Sequence, residues 1–248
     1  MKKITLILTM ATVLFAQTGL ELAQQIDAKK TPKDMSSTMT MELTNKKGKT
    51  RTSSFKSVSK DGSEKQIIWF LEPADDRGVA FLKIEHYDKD DEMRMWLPAF
   101  KKIRRISSKK KADSFMGSDM SYEDMSSREL NDYTYEISGE EEIDGVLCWK
   151  LKSKPKEGIT KTYSHHLTWI SKDKLLALKE ESFDKTGKLL KYKTFSLQHI
   201  GEYDVPIEIF VKNVQKNHST KLTFENLELD MGVKDNLFHE KNLKRAPK

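Results

Sequence analysis

One cysteine in 248 residues excludes a disulfide framework, so the chain is held together without covalent cross-links. Cys148 lies in GVLCWKLK, alternating with Leu147, Trp149 and Leu151, the pattern of a buried strand residue rather than a nucleophile. Long apolar runs are missing too. The longest, Ile4 to Phe15, falls short of the ~20 residues a membrane-spanning helix needs. Recognisable catalytic patterns are also lacking: no G-x-S-x-G, H-E-x-x-H, P-loop or G-x-G-x-x-G occurs. His165 and His166 are adjacent, so on a strand they point to opposite faces and cannot share a metal. Asp75 and Asp76 in EPADDRG read as a turn between strands, not an acid–base pair. These absences argue against an enzyme, and no catalytic residue, metal or cofactor is assigned. Glycine and proline are sparse, 11 and 6 residues, and gather into no linker, so one domain is expected over residues 17–248.

What precedes residue 17 has the form of a secretory signal peptide: Lys2 and Lys3, a short apolar run, then small residues, with cleavage after Ala16 or near Gly19. No cysteine follows to accept a lipid, so a soluble, unanchored mature chain in the periplasm is expected. Net charge is +6, of which Lys2 and Lys3 account for two, leaving a mildly basic mature chain at +4. That is too little to make the whole surface a polyanion binder. The basicity is concentrated, however, in LPAFKKIRRISSKKK, with seven basic side chains and no acid from Lys101 to Lys111. In a secreted chain nucleic acid is a poor partner for this segment, and phosphate head groups of an anionic membrane are the better match.

From Thr38 onward, short alternating or wholly apolar runs recur between turn residues. Examples are SSFKSVSK, KQIIWFLEP, GVAFLKIEHY, YSHHLTWIS, LLALKEESF, KLLKYKTFSL and KLTFENLEL, with separators such as NKKGK, SKDGS and DKTGK. DEMRMWLP places Met93, Met95 and Leu97 on one face, and VPIEIFVK places Val205, Ile207, Ile209 and Val211 together. The fold class is therefore mainly β, one antiparallel sheet long enough to curl. Two segments read as helix: Gly19 to Lys30, with Leu20, Ala23 and Ile26 on one stripe, and SDMSYEDMSSREL, with Ser118 or Ser121 as N-cap and Met120 near Met125. AFKKIRRISS fits strand or helix, since Phe100, Ile103 and Ile106 recur every three residues.

FLEPADDRGVAFLKIEH, MWLPAFKKIRRI, SFMGSDMSYEDM and ESFDKTGKLLK, in that order, resemble the periplasmic outer-membrane lipoprotein-sorting protein family, which is similar to the lipoprotein carriers LolA and LolB. The resemblance runs from about Gly19 to LFHEKNLKR. It implies a strongly curved, incomplete antiparallel β-barrel with helices, including a helical lid, over an apolar cavity. It also implies a carrier of an acyl chain of a lipid or lipoprotein, and a neighbouring inner-membrane lipid exporter of the resistance-nodulation-division type. A non-transporting subunit docked on such an exporter is the alternative. A monomer is expected.

Under that reading the residues available to line a cavity are Trp69, Phe81, Met93, Met95, Trp96, Phe100, Phe115, Met116, Trp149, Trp169 and Phe210, each of which would equally serve as core. A buried chain of twelve methylenes at ~0.8 kcal/mol each supplies about 10 kcal/mol gross, enough to hold a lipid after association costs. Lys101, Lys102, Arg104 and Arg105 would contact head groups or the membrane at the cavity mouth. SFMGSDMSYED, with Phe115 and Met116 beside Gly117, would be the lid.

Overall fold

The computed structural model describes residues 17–245. The signal peptide assigned to residues 1–16 lies outside them. Helix α1 spans Gly19–Asp27. Thr18 caps it: its hydroxyl accepts from the Glu21 amide while the Glu21 carboxylate accepts from the Thr18 amide, a capping box that satisfies two free N–H groups. The buried stripe is Gly19, Leu22 and Ala23, with Ile26 beside it. Leu20, expected on that stripe, faces solvent.

Thirteen strands follow: β1 (Asp34–Thr44), β2 (Thr50–Lys60), β3 (Lys65–Glu72), β4 (Ala80–Ile84), β5 (Glu92–Leu97), β6 (Lys102–Ile106), β7 (Tyr133–Ile143), β8 (Val146–Pro155), β9 (His165–Ser171), β10 (Ala177–Phe183), β11 (Leu189–Ile200), β12 (Tyr203–Asn213) and β13 (His218–Leu229). All pairings are antiparallel in the order β6-β5-β4-β3-β2-β1-β13-β12-β11-β10-β9-β8-β7. The chain thus makes one meander outward from β1 to β6 and another inward from β7 to β13, and β1 closes on β13. The sheet stays open, with β6 and β7 as its edges, and the insertion 107–132 carries the chain from one edge to the other.

The registers define two faces. One row runs Met95–Phe81–Ile68, and the parallel row Phe70–Phe55–Met39–Phe224 belongs to the same side. Continuing across β13, the row Thr220–Val211–Lys193–Glu180–Thr168–Leu151–Ile137 completes this inner face. It carries Met39, Met41, Leu43, Phe55, Ile68, Phe70, Phe81, Met93, Met95 and Leu222 as its main apolar cluster. Leu151 and Ile170 of the same face pack against Leu22 and Ala23 of α1 in a second cluster. The outer face is covered only in part. Val58, Ile67, Trp69, Ala80 and Leu82 pack under Phe238 and Leu243 of the C-terminal tail, where Trp69 Nε1 donates to the Asn242 carbonyl (3.0 Å).

Curvature follows from two lysines. Lys83 on β4 and Lys191 on β11 are six strands apart, about 29 Å along the sheet at ~4.8 Å per strand. Yet Lys83 donates to the Met125 carbonyl (2.6 Å) and Lys191 to the Asp124 carboxylate (2.5 Å), on consecutive residues of the insertion. The sheet is therefore bent into a trough around the insertion, an incomplete curved barrel.

Two sequence expectations need correction. The helix expected over SDMSYEDMSSREL does not form: the segment holds single 3-10 turns at Glu123–Met125 and Leu130–Asp132. Ser121 and Asp124 do make reciprocal capping bonds, Asp124 N–H to the Ser121 hydroxyl and Ser121 N–H to the Asp124 carboxylate, but Ser126 returns to extended backbone after one turn. Side chains that bond so readily to nearby backbone compete with a continuing helix. Val205 does not share a face with Ile209 and Val211, because a bulge opposite Ser196 and Leu197 takes up Ile207 as an extra residue and reverses the alternation. The ambiguous AFKKIRRISS resolves into a 3-10 turn at Pro98–Phe100 followed by edge strand β6.

Candidate functional site

The inner face is where chemistry and shape converge, because the insertion lies on it. Residues 113–122 form a hairpin: Phe115 N–H donates to the Met120 carbonyl, Tyr122 N–H to Asp113, and Ser114 bridges Ser121. At its tip Met116 and Gly117 both take positive φ, 49° and 80°, and Ser118 N–H closes the turn on the Phe115 carbonyl. Two successive left-handed residues are why glycine stands there. The hairpin seats Phe115 among Phe70, Phe81 and Tyr122 at ring separations of 6.3, 5.2 and 5.9 Å, with Met116, Met120 and Met125 packed around the same cluster. The apolar trough is thus filled by side chains of the insertion.

Ionic contacts fasten it. Asp124, buried, accepts from Lys191 Nζ (2.5 Å), Lys193 Nζ (2.8 Å), Ser121 Oγ (2.8 Å), Ser121 N (2.7 Å) and Tyr163 Oη (2.8 Å). Burial opposes its charge, but the two ammonium groups prevail and hold the carboxyl well below the usual range. Glu180 is likewise pushed up by burial and pulled further down by Arg128 (2.6 Å) and Lys193 (3.1 Å). His166 is buried and bonded to Ser182 (3.0 Å). Burial, reinforced by the nearby Arg128 charge, lowers its pKa to about 3 and keeps it neutral. Lys193 is raised, its anionic neighbours outweighing burial, whereas burial outweighs Asp124 at Lys191 and lowers it. Further ties are Asp119 to His218 (2.7 Å) and Thr220 (2.8 Å), and Glu123 to the Thr162 amide (2.8 Å).

The cavity candidates divide between faces. Phe81, Met93, Met95, Phe115, Met116 and Trp149 are on or over the inner face. Trp69 and Trp96 belong to the outer cluster beneath the C-terminal tail, and the register places Trp169 and Phe210 on the outer face as well. Trp169 there lies between the ammonium groups of Lys150 (5.1 Å) and Lys179 (4.3 Å). Phe100 is 70% exposed, beside edge strand β6. The four on the outer face line no common space with the inner six, because alternate residues of one strand face opposite ways, and Phe100 stands apart in the Pro98–Phe100 turn. Lys101, Lys102, Arg104 and Arg105 are all exposed at the β6 edge, Lys102 and Arg104 on the inner row and Arg105 on the outer. Asp76 of the EPADDRG turn accepts from Arg51 (2.7 Å) and Ser53 (3.1 Å), which ties down the turn. Among the described residues no group of three or more His, Cys, Asp or Glu could hold a metal, and Cys148 is a buried thiol directed at the Val146 carbonyl. Two surface clefts, about 750 and 790 Å³, are lined in part by the insertion, one at Asp119 and His218 and the other at Arg128 and Glu129.

The network at Asp124, Glu180, Lys191, Lys193, Arg128 and His166 was not singled out from the sequence. A weak signal was present: Lys191 and Lys193, two apart on one strand, must share a face, and so must Glu180 and Ser182. What could not be read was that both pairs face inward.

A family model described as "-like: Uncharacterized protein" matches residues 62–245. Curated proteins give no match. Among solved structures, an outer membrane lipoprotein-sorting protein domain from Vibrio parahaemolyticus is 32% identical, with 92% of this chain and 98% of that one covered and a TM-score of 0.86. A DUF1329 family protein from Desulfovibrio piger is 34% identical over 91% of this chain and 97% of that one, TM-score 0.85. A LolA superfamily protein from Nitrosomonas europaea, 19% identical over 92% of this chain and all of that one at a TM-score of 0.72, shares the fold. Sequence motifs, trough and full-length similarity agree: this chain belongs to the outer-membrane lipoprotein-sorting protein family.

Proposed function

We propose that the protein is a periplasmic carrier that shelters the acyl chain of a lipid or lipoprotein between membranes, without covalent chemistry. The observation that carries this reading is the apolar inner face covered by an insertion that supplies Phe115, Met116, Met120 and Met125 as a plug. Binding segments are often connections positioned on a rigid scaffold, and this one is held to the sheet by ion pairs at Asp124. Flexible methionine thioethers suit a surface that must fit chains of different shape. The names of the similar proteins support the same reading. A leader cleaved near residue 16 would deliver residues 17–248 to the envelope as one unit. Lys101 and the three basic residues of edge β6, beside exposed Phe100, would meet anionic head groups of the donor or acceptor membrane.

Native mass spectrometry of the protein taken from its own envelope, followed by lipid extraction, tests this. About one lipid per chain is expected. An empty protein that also fails to take up a fluorescent fatty acid overturns it. The filled trough favours one second reading in that event: a docking subunit of an inner-membrane exporter of the resistance-nodulation-division type, for which a crosslink to the exporter without bound lipid is the expected result.

A further inference from the structure

Lys191 is the odd member of the buried network. It lies on β11, well inside the sheet, and only 2% of it is exposed. Its ammonium group donates to two acceptors, the Asp124 carboxylate (2.5 Å) and the Asp119 carbonyl (2.8 Å). Both belong to the insertion. Lys193, by contrast, keeps Glu180 of neighbouring strand β10 (3.1 Å) whatever the insertion does. Arg128 is itself part of the insertion and leaves with it. Lifting the plug therefore strips Lys191 of both partners and leaves the sheet with two ammonium groups against one carboxylate, facing the vacated trough. An unpaired buried ammonium is strongly disfavoured, so the open state calls for an anion at the position Asp124 has left.

The apolar trough begins beside that position. The row from Lys193 passes to Val211 and Thr220, and the neighbouring row passes from Ile209 to Leu222 and Met41. From β11 to β1 is three strands, about 14 Å. One insertion thus fills both halves of an amphiphile's outline: Phe115 and the methionines stand where a tail would lie, and Asp124 stands where a head would sit.

We propose that Asp124 occupies the place of the ligand's head group, and that the protein's cargo is an acyl chain bearing an anionic head, a carboxylate in the direct case, which displaces Asp124 and pairs with Lys191 and Lys193. This rests on the carrier reading and narrows it to a class of cargo.

The test keeps one tail and changes the head. Laurate, dodecanol and dodecylamine, each below its aggregation limit, are titrated into the full mature chain by calorimetry, with acetate as a head without a tail. Hydrogen exchange over residues 113–125 is followed in parallel. Laurate is expected to bind at least tenfold tighter than dodecanol and to accelerate exchange in the hairpin, dodecylamine to bind least, and acetate to leave exchange unchanged. Lys191→Met should bring laurate down to the level of dodecanol. Should that variant fail to fold, the comparison of heads on the unaltered protein decides alone. Equal binding of laurate and dodecanol overturns the anionic-head inference while leaving the carrier reading intact. Acetate opening the hairpin by itself would assign the site to free anions and also overturn it. Binding of none of the three tailed probes overturns both.

Discussion

Asp124→Asn is the sharpest perturbation of the insertion, since it changes one atom and one charge at the point where the plug is fastened. The carboxylate accepts five hydrogen bonds, two of them from buried lysines. The amide keeps the shape and part of the bonding but leaves Lys191 with no anion and Lys193 with Glu180 alone. Breaking a buried pair by neutralising one partner costs about 3–5 kcal/mol. If the insertion opens as a unit on a sheet that persists, this loss falls on the local opening equilibrium. Amides of residues 113–125 should then exchange roughly 140- to 3,700-fold faster, at 1.4 kcal/mol per tenfold. Amides of β2 and β3 around Phe55, Ile68 and Phe70 should change far less. Adding Lys191→Met to Asp124→Asn should recover part of the loss, because it removes the ammonium group that the first change stranded. Acceleration below tenfold, or equal acceleration in hairpin and strands, would refute the idea of a separately fastened plug and make the insertion an ordinary part of the core.

Acid should weaken the fold through His166. Its folded pKa of about 3 lies below the ordinary 6.5, so between those values the unfolded chain takes up a proton that the folded chain refuses. Stability therefore falls as pH drops through that window, by about 2 kcal/mol between pH 6.5 and 4.5. Urea midpoints across that range should show this slope, and His166→Asn should flatten it. Asp124 and Glu180 act lower: with folded pKa values depressed, their contribution persists at neutral pH and is lost only as pH falls below their unfolded values toward the folded ones. Gly19→Ala should destabilise by about 1–3 kcal/mol despite alanine's better helix propensity, because the new Cβ would lie 2.6 Å from backbone atoms of Tyr135 and Glu136. A melting temperature at or above that of the unaltered protein would contradict this packing. Reversing charge at Lys101, Lys102, Arg104 and Arg105 should cut partition onto anionic vesicles by roughly a thousandfold, at ~1 kcal/mol per residue, and leave neutral vesicles unaffected. Unchanged binding to anionic vesicles would remove β6 from the membrane contact.

Much of the architecture was legible because it rests on local chemistry. Alternation along DEMRMWLP put Met93, Met95 and Leu97 on one face, and they do share the inner cluster. Turn residues between the apolar runs marked the hairpins, and the order of four motifs carried the family. Alternation fails where a bulge intervenes, as at Ile207, since one extra residue reverses every side chain beyond it. It also assigns a residue to a face without saying what covers that face. Trp69 and Phe70 are neighbours in an apolar run, yet Trp69 packs under the C-terminal tail and Phe70 under the insertion. The sequence by itself determined strands, turns, charge and kinship, because these depend on neighbours a few residues apart. Only the tertiary structure decided that Asp124 meets Lys191, 67 residues away, and that Phe115 fills the trough. Those contacts exist because β1 closes on β13 and the sheet curls until its two halves reach the same segment, and no local pattern records that closure.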